Sequence, residues 1–205
     1  MIRIAIVTGT RPGRLNEAVA RWVLDAACRR PDVQASLIDV GAYGLPPAGD
    51  VPPRLGRFAH EHVRAWSRSV ASFDGFVFVT PEYLMTASAA VKAAIDVVAR
   101  DWQGKVAGFV GYGPLGAGRA IDDLRGALAA VGVATVAPSL ALTLVPDVGS
   151  RAAFVPDAPH VPELHALLEQ VISWARTLKS VRLAITAERE DDRFHRAISA
   201  RPECR

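Results

Sequence analysis

Side chains able to hold an anion crowd the start of the chain. A short apolar run, Ile4-Ala5-Ile6-Val7, breaks into Thr8-Gly9-Thr10-Arg11-Pro12-Gly13-Arg14. Apolar residues at Val19, Trp22, Val23, Ala26 and Ala27 then recur at helical spacing. Strand, tight turn and helix predict an α/β unit whose turn meets a helix N-terminus. Unsatisfied N–H groups and the positive end of the helix dipole favour an anion there. Arg11 and Arg14 would each add a charge-assisted bond of roughly 1.5–3 kcal/mol. The turn therefore reads as a phosphate cradle.

Two later turns could hold what the phosphate carries. Phe76-Val77-Phe78-Val79 reads as a buried strand and opens into Thr80-Pro81-Glu82-Tyr83-Leu84-Met85-Thr86. Backbone amides there could bond the polar edge of a flat ring, with Tyr83 over its face. The plainer alternative is a loop shaped by Pro81 with Tyr83 at the rim. The third turn is Gly113-Pro-Leu-Gly-Ala-Gly118, after a strand over 106–112.

Other chemistries fit poorly. Gly111, Gly113 and Gly116 have dinucleotide-fingerprint spacing, but follow the fourth strand, and Val136 stands where an acid should. Tyr43, Tyr83 and Tyr112 lack a lysine four residues on, as a short-chain dehydrogenase requires. A Walker A motif fails at Arg14, and no G-x-S-x-G elbow exists. His60 and His62 are two apart on a predicted helix and do not share a face, so they read as rim residues. Asp122-Asp123 reads as a solvated face.

The elements that must position these turns alternate. Strands are expected at 4–7, 35–40, 76–79, 106–112 and 133–137. Helices are expected after the first turn and over 57–73, 88–100, 119–131 and 163–178. The segment 41–53, with Pro46, Pro47, Pro52 and Pro53, should be a surface loop. Alternation of this kind implies an α/β three-layer sandwich, a five-stranded parallel sheet of flavodoxin-type order 2-1-3-4-5 with helices on both faces. Ligands of such sheets sit beyond the carboxyl ends of the strands, where the first, third and fourth loops converge.

The 205 residues suit one core, assigned to residues 1–180. Residues 181–205 are read as a charged extension, solvated or partly disordered, with five acids and five arginines from Glu188 onward. A net charge of +3 is too small to argue for nucleic acid, and no apolar run approaches the ~20 residues that cross a bilayer. Two cysteines, Cys28 and Cys204, make no disulfide scaffold. With no secretory pattern either, a cytoplasmic protein is expected.

The chain resembles the NADPH-dependent FMN reductase family, flavodoxin-like flavin, quinone, azo-dye and chromate reductases. The resemblance covers about Ile4 to Leu178. It rests on TGTRPGR with Asn16, on DGFVFVTPEY, on AAVKAAID and on GYGPLGAGRA. It implies FMN as cofactor and NADPH or NADH as co-substrate. It places the phosphate at Gly9, Thr10, Arg11, Arg14 and Asn16. The ring falls to Pro81, Glu82, Tyr83 and Leu84, and to Gly113, Gly116 and Ala117. No catalytic side chain is expected, because the flavin carries the chemistry. The implied acceptor is a small molecule such as a quinone or free flavin.

The family usually has Ser at Gly9, so Thr8 or Thr10 should supply that hydroxyl. It usually has Asn at Leu84 and often His-Gly at Met85-Thr86, so this site should be more apolar over the ring. The alternatives are a fold that has lost FMN, or a reductase feeding reduced flavin to a monooxygenase. Relatives imply a homodimer or homotetramer, with Trp66 and the helices over 88–102 as contact surfaces.

Overall fold

A computed structural model describes residues 1–9, 14–46, 61–82, 84–143, 154 and 158–199; of Arg14 and 189–199 it describes the backbone alone. The strands are β1 (Ile2–Thr8), β2 (Val33–Asp39), β3 (Gly75–Pro81), β4 (Val106–Gly113) and β5 (Ala134–Thr143). They form one parallel sheet in the order β2-β1-β3-β4-β5. The helices are α1 (Arg14–Cys28), α2 (Glu61–Ser72), α3 (Ala89–Val97), α4 (Gly118–Ala130) and α5 (His160–Ser199). Of the helix expected over 57–73, residues 57–60 lie outside the described residues, as does most of the Pro-rich loop. No described helix is long and apolar enough to cross a membrane.

Strand side chains alternate between two cores. Phe76, Phe78 and Phe109 enter one face with Trp66, Trp102, Leu124 and Leu128. Val77, Val79 and Val110 enter the other, with Val19, Val23, Leu164, Leu167 and Val171. β3 and β4 are buried along their whole length, because helices cover both sides. Trp66 is wholly buried and donates its indole N–H to the Ala94 carbonyl at 2.8 Å. Trp102 is wholly buried too, against Phe76 at 4.7 Å between centroids. Both tryptophans belong to the core, and the expected contact role of Trp66 is withdrawn.

Two elements, β5 and α5, outrun their expected ends by more than two residues. β5 continues through Pro138 because the β4–β5 pairing slips between Ala107 and Phe109. A proline needs no ladder partner in such an irregularity on an edge strand. α5 runs 40 residues, not 16, and takes in most of the expected extension. Residues 178–199 hold no Gly or Pro to stop it. Its continuation is also anchored. Lys179 Nζ donates to Asp74 Oδ2 at 2.9 Å, and Arg182 donates to Asp74 Oδ1 at 3.0 Å and to the Gly104 carbonyl at 2.7 Å.

Candidate flavin site

The three informative loops leave the same edge of the sheet. Their described atoms are joined by cross-loop bonds that position the site.

The first loop leaves β1 at Thr8. Thr8 is buried, and its hydroxyl donates to the Ile38 carbonyl at 3.4 Å, inside the β1–β2 pairing. It is therefore turned away from the loop, and the expected hydroxyl falls to Thr10 alone. Thr10 and Arg11 lie outside the described residues; Arg14 opens α1. A Cβ on Gly9 would stand 2.4 Å from Val91 Cγ2, in the first turn of α3. Val91 fills the space a serine side chain would need, which accounts for glycine here. The Gly9 carbonyl accepts from the Ser88 hydroxyl, tying the first loop to the third. Asn16 is buried in the first turn of α1, and its Oδ1 accepts from the Tyr112 hydroxyl at 3.1 Å. That bond joins α1 to the end of β4.

The third loop is fixed at both ends. Pro81 closes β3. The Glu82 N–H donates to the Tyr112 carbonyl at 3.3 Å. Its carboxylate Oε2 accepts from the backbone N–H groups of Arg119 at 3.1 Å and Ala120 at 3.3 Å. Ala117, which precedes α4, has no capping side chain, so Glu82 caps the helix from another loop. Glu82 is expected to border the ring, and its side chain holds α4. Tyr83 lies outside the described residues. Leu84 and Met85 follow with φ 47° and 63°.

Beyond them the loop is anchored to Asp123. The Thr86 hydroxyl donates to Asp123 Oδ2, and Ala87 N–H does so at 3.2 Å. Lys92 Nζ donates to Thr86 Oγ1 at 2.8 Å and to Asp123 Oδ2 at 3.1 Å. The Thr86 hydrogen bond is the main cause holding the Asp123 carboxyl below its usual range. Asp123 is thus an anchor, where the sequence suggested a solvated pair with Asp122. Ser88, Val91, Lys92, Tyr112 and Asp123 are residues that motif reading missed. Ser88, Val91, Tyr112 and Asp123 meet partners tens of residues away, which no local spacing reveals.

The fourth loop turns tightly. Gly116 N–H donates to the Gly113 carbonyl at 3.2 Å. Gly116 has φ 79° and Ala117 φ 60°, so the chain passes two left-handed residues before α4. Leu115 stands out at 88% exposure.

The donor set fits FMN in its described part. The N-terminus of α1 lies where an anion belongs, and Asn16 is in its first turn. Gly113 carries no side chain, and a Cβ there would lie in ordinary contact with Glu82 Cβ at 3.7 Å, so a flat ring arriving here would meet bare backbone. Residues 2–146 match the model for the NADPH-dependent FMN reductase family. The chain belongs to that family. Its class is therefore oxidoreductase, with FMN as cofactor and NAD(P)H as electron donor.

An NAD(P)H-dependent FMN reductase of Nectria sp is 33% identical over 151 residues, 69% of this chain and 75% of the relative. A 2-hydroxy-1,4-benzoquinone reductase of Burkholderia sp is 29% identical over 139 residues, 62% and 70% respectively. Among solved structures, the flavoenzyme NAD(P)H:(acceptor) oxidoreductase of Paracoccus denitrificans superposes with TM-score 0.70 at 22% identity. It covers 86% of this chain and 98% of its own. A Megasphaera elsdenii flavodoxin does so with TM-score 0.53 at 18% identity, covering 82% and 98%. Likeness at those identities bears on the fold.

Proposed function

We propose that this protein passes electrons from NAD(P)H through bound FMN to a small quinone-type acceptor. The observation that carries the reading is the cross-loop bonding. Ser88 to Gly9, Tyr112 to Asn16 and Glu82 to α4 make one rim of three loops. A rim fixed in this way is preorganised for a large rigid ligand.

Thr10, Arg11, Arg14 and the α1 amides hold the phosphate; Gly9 keeps the loop against α3. Pro81, Tyr83, Leu84, Gly113, Gly116 and Ala117 border the ring, and Glu82 and Asp123 hold those borders in place. FMN, when bound, supplies the two-electron chemistry, accepting hydride from the nicotinamide and reducing the acceptor. Overall, NAD(P)H, a proton and a quinone give NAD(P)⁺ and hydroquinone. No side chain need donate a proton to the reacting atoms, since the second proton can come from water. Residues 1–180 carry this site, and 181–205 are a C-terminal extension outside it. The enzyme works in the cytoplasm as a homodimer or homotetramer. The quinone reductase name of the Burkholderia relative and the apolar rim support a quinone over free flavin as acceptor.

The test is anaerobic turnover of FMN-loaded protein with NADPH or NADH and a benzoquinone. Quinone-dependent loss of nicotinamide absorbance, with parallel double-reciprocal plots, is expected. Failure to take up FMN, or oxidation of NAD(P)H unaffected by quinone, would defeat the proposal.

A further inference from the structure

Among the described residues, large apolar side chains stand in solvent in three places. One is Met1, and one is α5, at Val161, Trp174, Val181, Leu183 and Ile185. The third is the rim of the flavin site. Leu84 is 99% exposed, Met85 62% and Leu115 88%, on the loops after β3 and β4. Single exposed apolar residues are ordinary; three on two loops beside one mouth call for a cause.

The backbone sharpens the point. Leu84 and Met85 both have positive φ, a backbone region that Asn and Gly adopt readily. Leu and Met adopt it against steric resistance from their own Cβ atoms. The shape persists because both flanks are tied: Glu82 to α4, Thr86 and Ala87 to Asp123, Ser88 to Gly9. Arg119 also donates to the Met85 sulfur, and with Glu82, Lys92 and Asp123 it is one of four charged groups beside these residues. In the free protein Leu84 gains almost no burial and Met85 only partial cover. Residues that suit neither the turn nor solvent point to a ligand.

We propose that Leu84, Met85 and Leu115 determine acceptor specificity. They form an apolar rim that buries the uncharged substituent of a flat two-electron acceptor and disfavours polar substituents on the same ring. The inference rests on the flavin reading above, and concerns these side chains alone.

The test uses two neutral acceptors differing in one substituent, 2-tert-butyl- and 2-hydroxymethyl-1,4-benzoquinone. FMN-loaded wild type is compared with the double variant Leu84→Asn/Met85→Gly and with Leu115→Ser. The wild type should favour the tert-butyl quinone in kcat/KM. Each variant should reduce that preference about tenfold, the loss falling on KM, as expected for losing burial of one apolar side chain. Melting of the flavin-free chain gives an independent readout. The double variant should melt several degrees higher, because its residues suit the turn. An unchanged preference in both variants overturns the inference and leaves the reductase reading standing, whatever the melting shows. A double variant that melts lower overturns the strained turn on which the inference stands. A wild type that reduces neither quinone removes both readings.

Discussion

The two edges of the sheet spend their charges differently. At the amino edge two buried charges, Asp74 and Lys105, are fully partnered. Asp74, beneath β3, accepts from the Arg3 N–H at 3.0 Å, from Lys179 and from Arg182. Lys105 is buried beneath β4 and donates to the carbonyls of Val70 at 2.9 Å, Ala71 at 3.3 Å and Phe73 at 2.5 Å, closing the end of α2. At the carboxyl edge Glu82 and Asp123 hold loops, while Leu84, Met85 and Leu115 remain in solvent. One edge makes stability; the other gives some up to keep a shaped mouth open. Breaking the first should unfold the protein without changing what it binds, and breaking the second should do the reverse.

The largest effect is expected at Asp74. Asp74→Ala leaves Lys179 and Arg182 without their carboxylate and frees an anchor of α5. It should cost about 3 kcal/mol, read as a lower urea midpoint, with FMN affinity nearly unchanged in the folded protein. Lost FMN affinity at undiminished stability would contradict the division between edges.

Lys105→Met should cost about 2 kcal/mol, because three carbonyls lose their donor. It also carries a pH signature. Burial pushes the Lys105 ammonium down from 10.5 to about 8. Between those values the unfolded chain holds more protons than the folded one, so this group makes stability rise with pH. The penalty for burying the charge is complete below pH 8 and is relieved towards pH 10.5. The wild type should therefore gain on Lys105→Met over that interval in paired denaturation curves; a narrowing gap would reverse the assignment.

Glu82→Gln removes the negative charge from the N-terminus of α4. A loss of about 0.5–1 kcal/mol is expected, with FMN binding weakened severalfold in a fluorescence titration. Equal affinity would mean that the α4 cap does not matter to the rim.

Asp123→Asn should have the smallest effect on stability, a few tenths of a kcal/mol, since its pair with Lys92 is partly exposed. Its mark should be faster hydrogen exchange over 84–88. Because the Asp123 carboxyl is held below its ordinary 3.8, its support is complete above that pH. It fades as acid takes the solution below the lowered value. Exchange in this loop that ignores the substitution would remove Asp123 as an anchor.

Sequence and structure agree where the signals are local. The β3 run Phe76–Val79 and the α5 stripe of Leu164, Leu167, Leu168 and Val171 declare their elements, because one periodicity governs each. The sheet order follows from alternation and composition. What stayed illegible depends on distant partners. Trp66, offered by the sequence as a contact surface, proves to be core once Ala94 is seen to accept its N–H. Pro138 looks like the end of a strand, and only the slipped β4–β5 register carries β5 past it. Lys179 and Arg182 look solvated until Asp74 is placed beneath them. At the site, the glycines and TPEY were legible as turns. That Glu82 serves α4 is a bond across 37 residues, which no motif encodes.

The most direct measurement is titration of flavin-free protein with FMN, following flavin fluorescence and the visible spectrum. The account expects saturable quenching at one FMN per chain, with a perturbed flavin spectrum that NADPH or NADH bleaches under anaerobic conditions. Fluorescence and spectrum indistinguishable from free FMN at saturating ligand would contradict it.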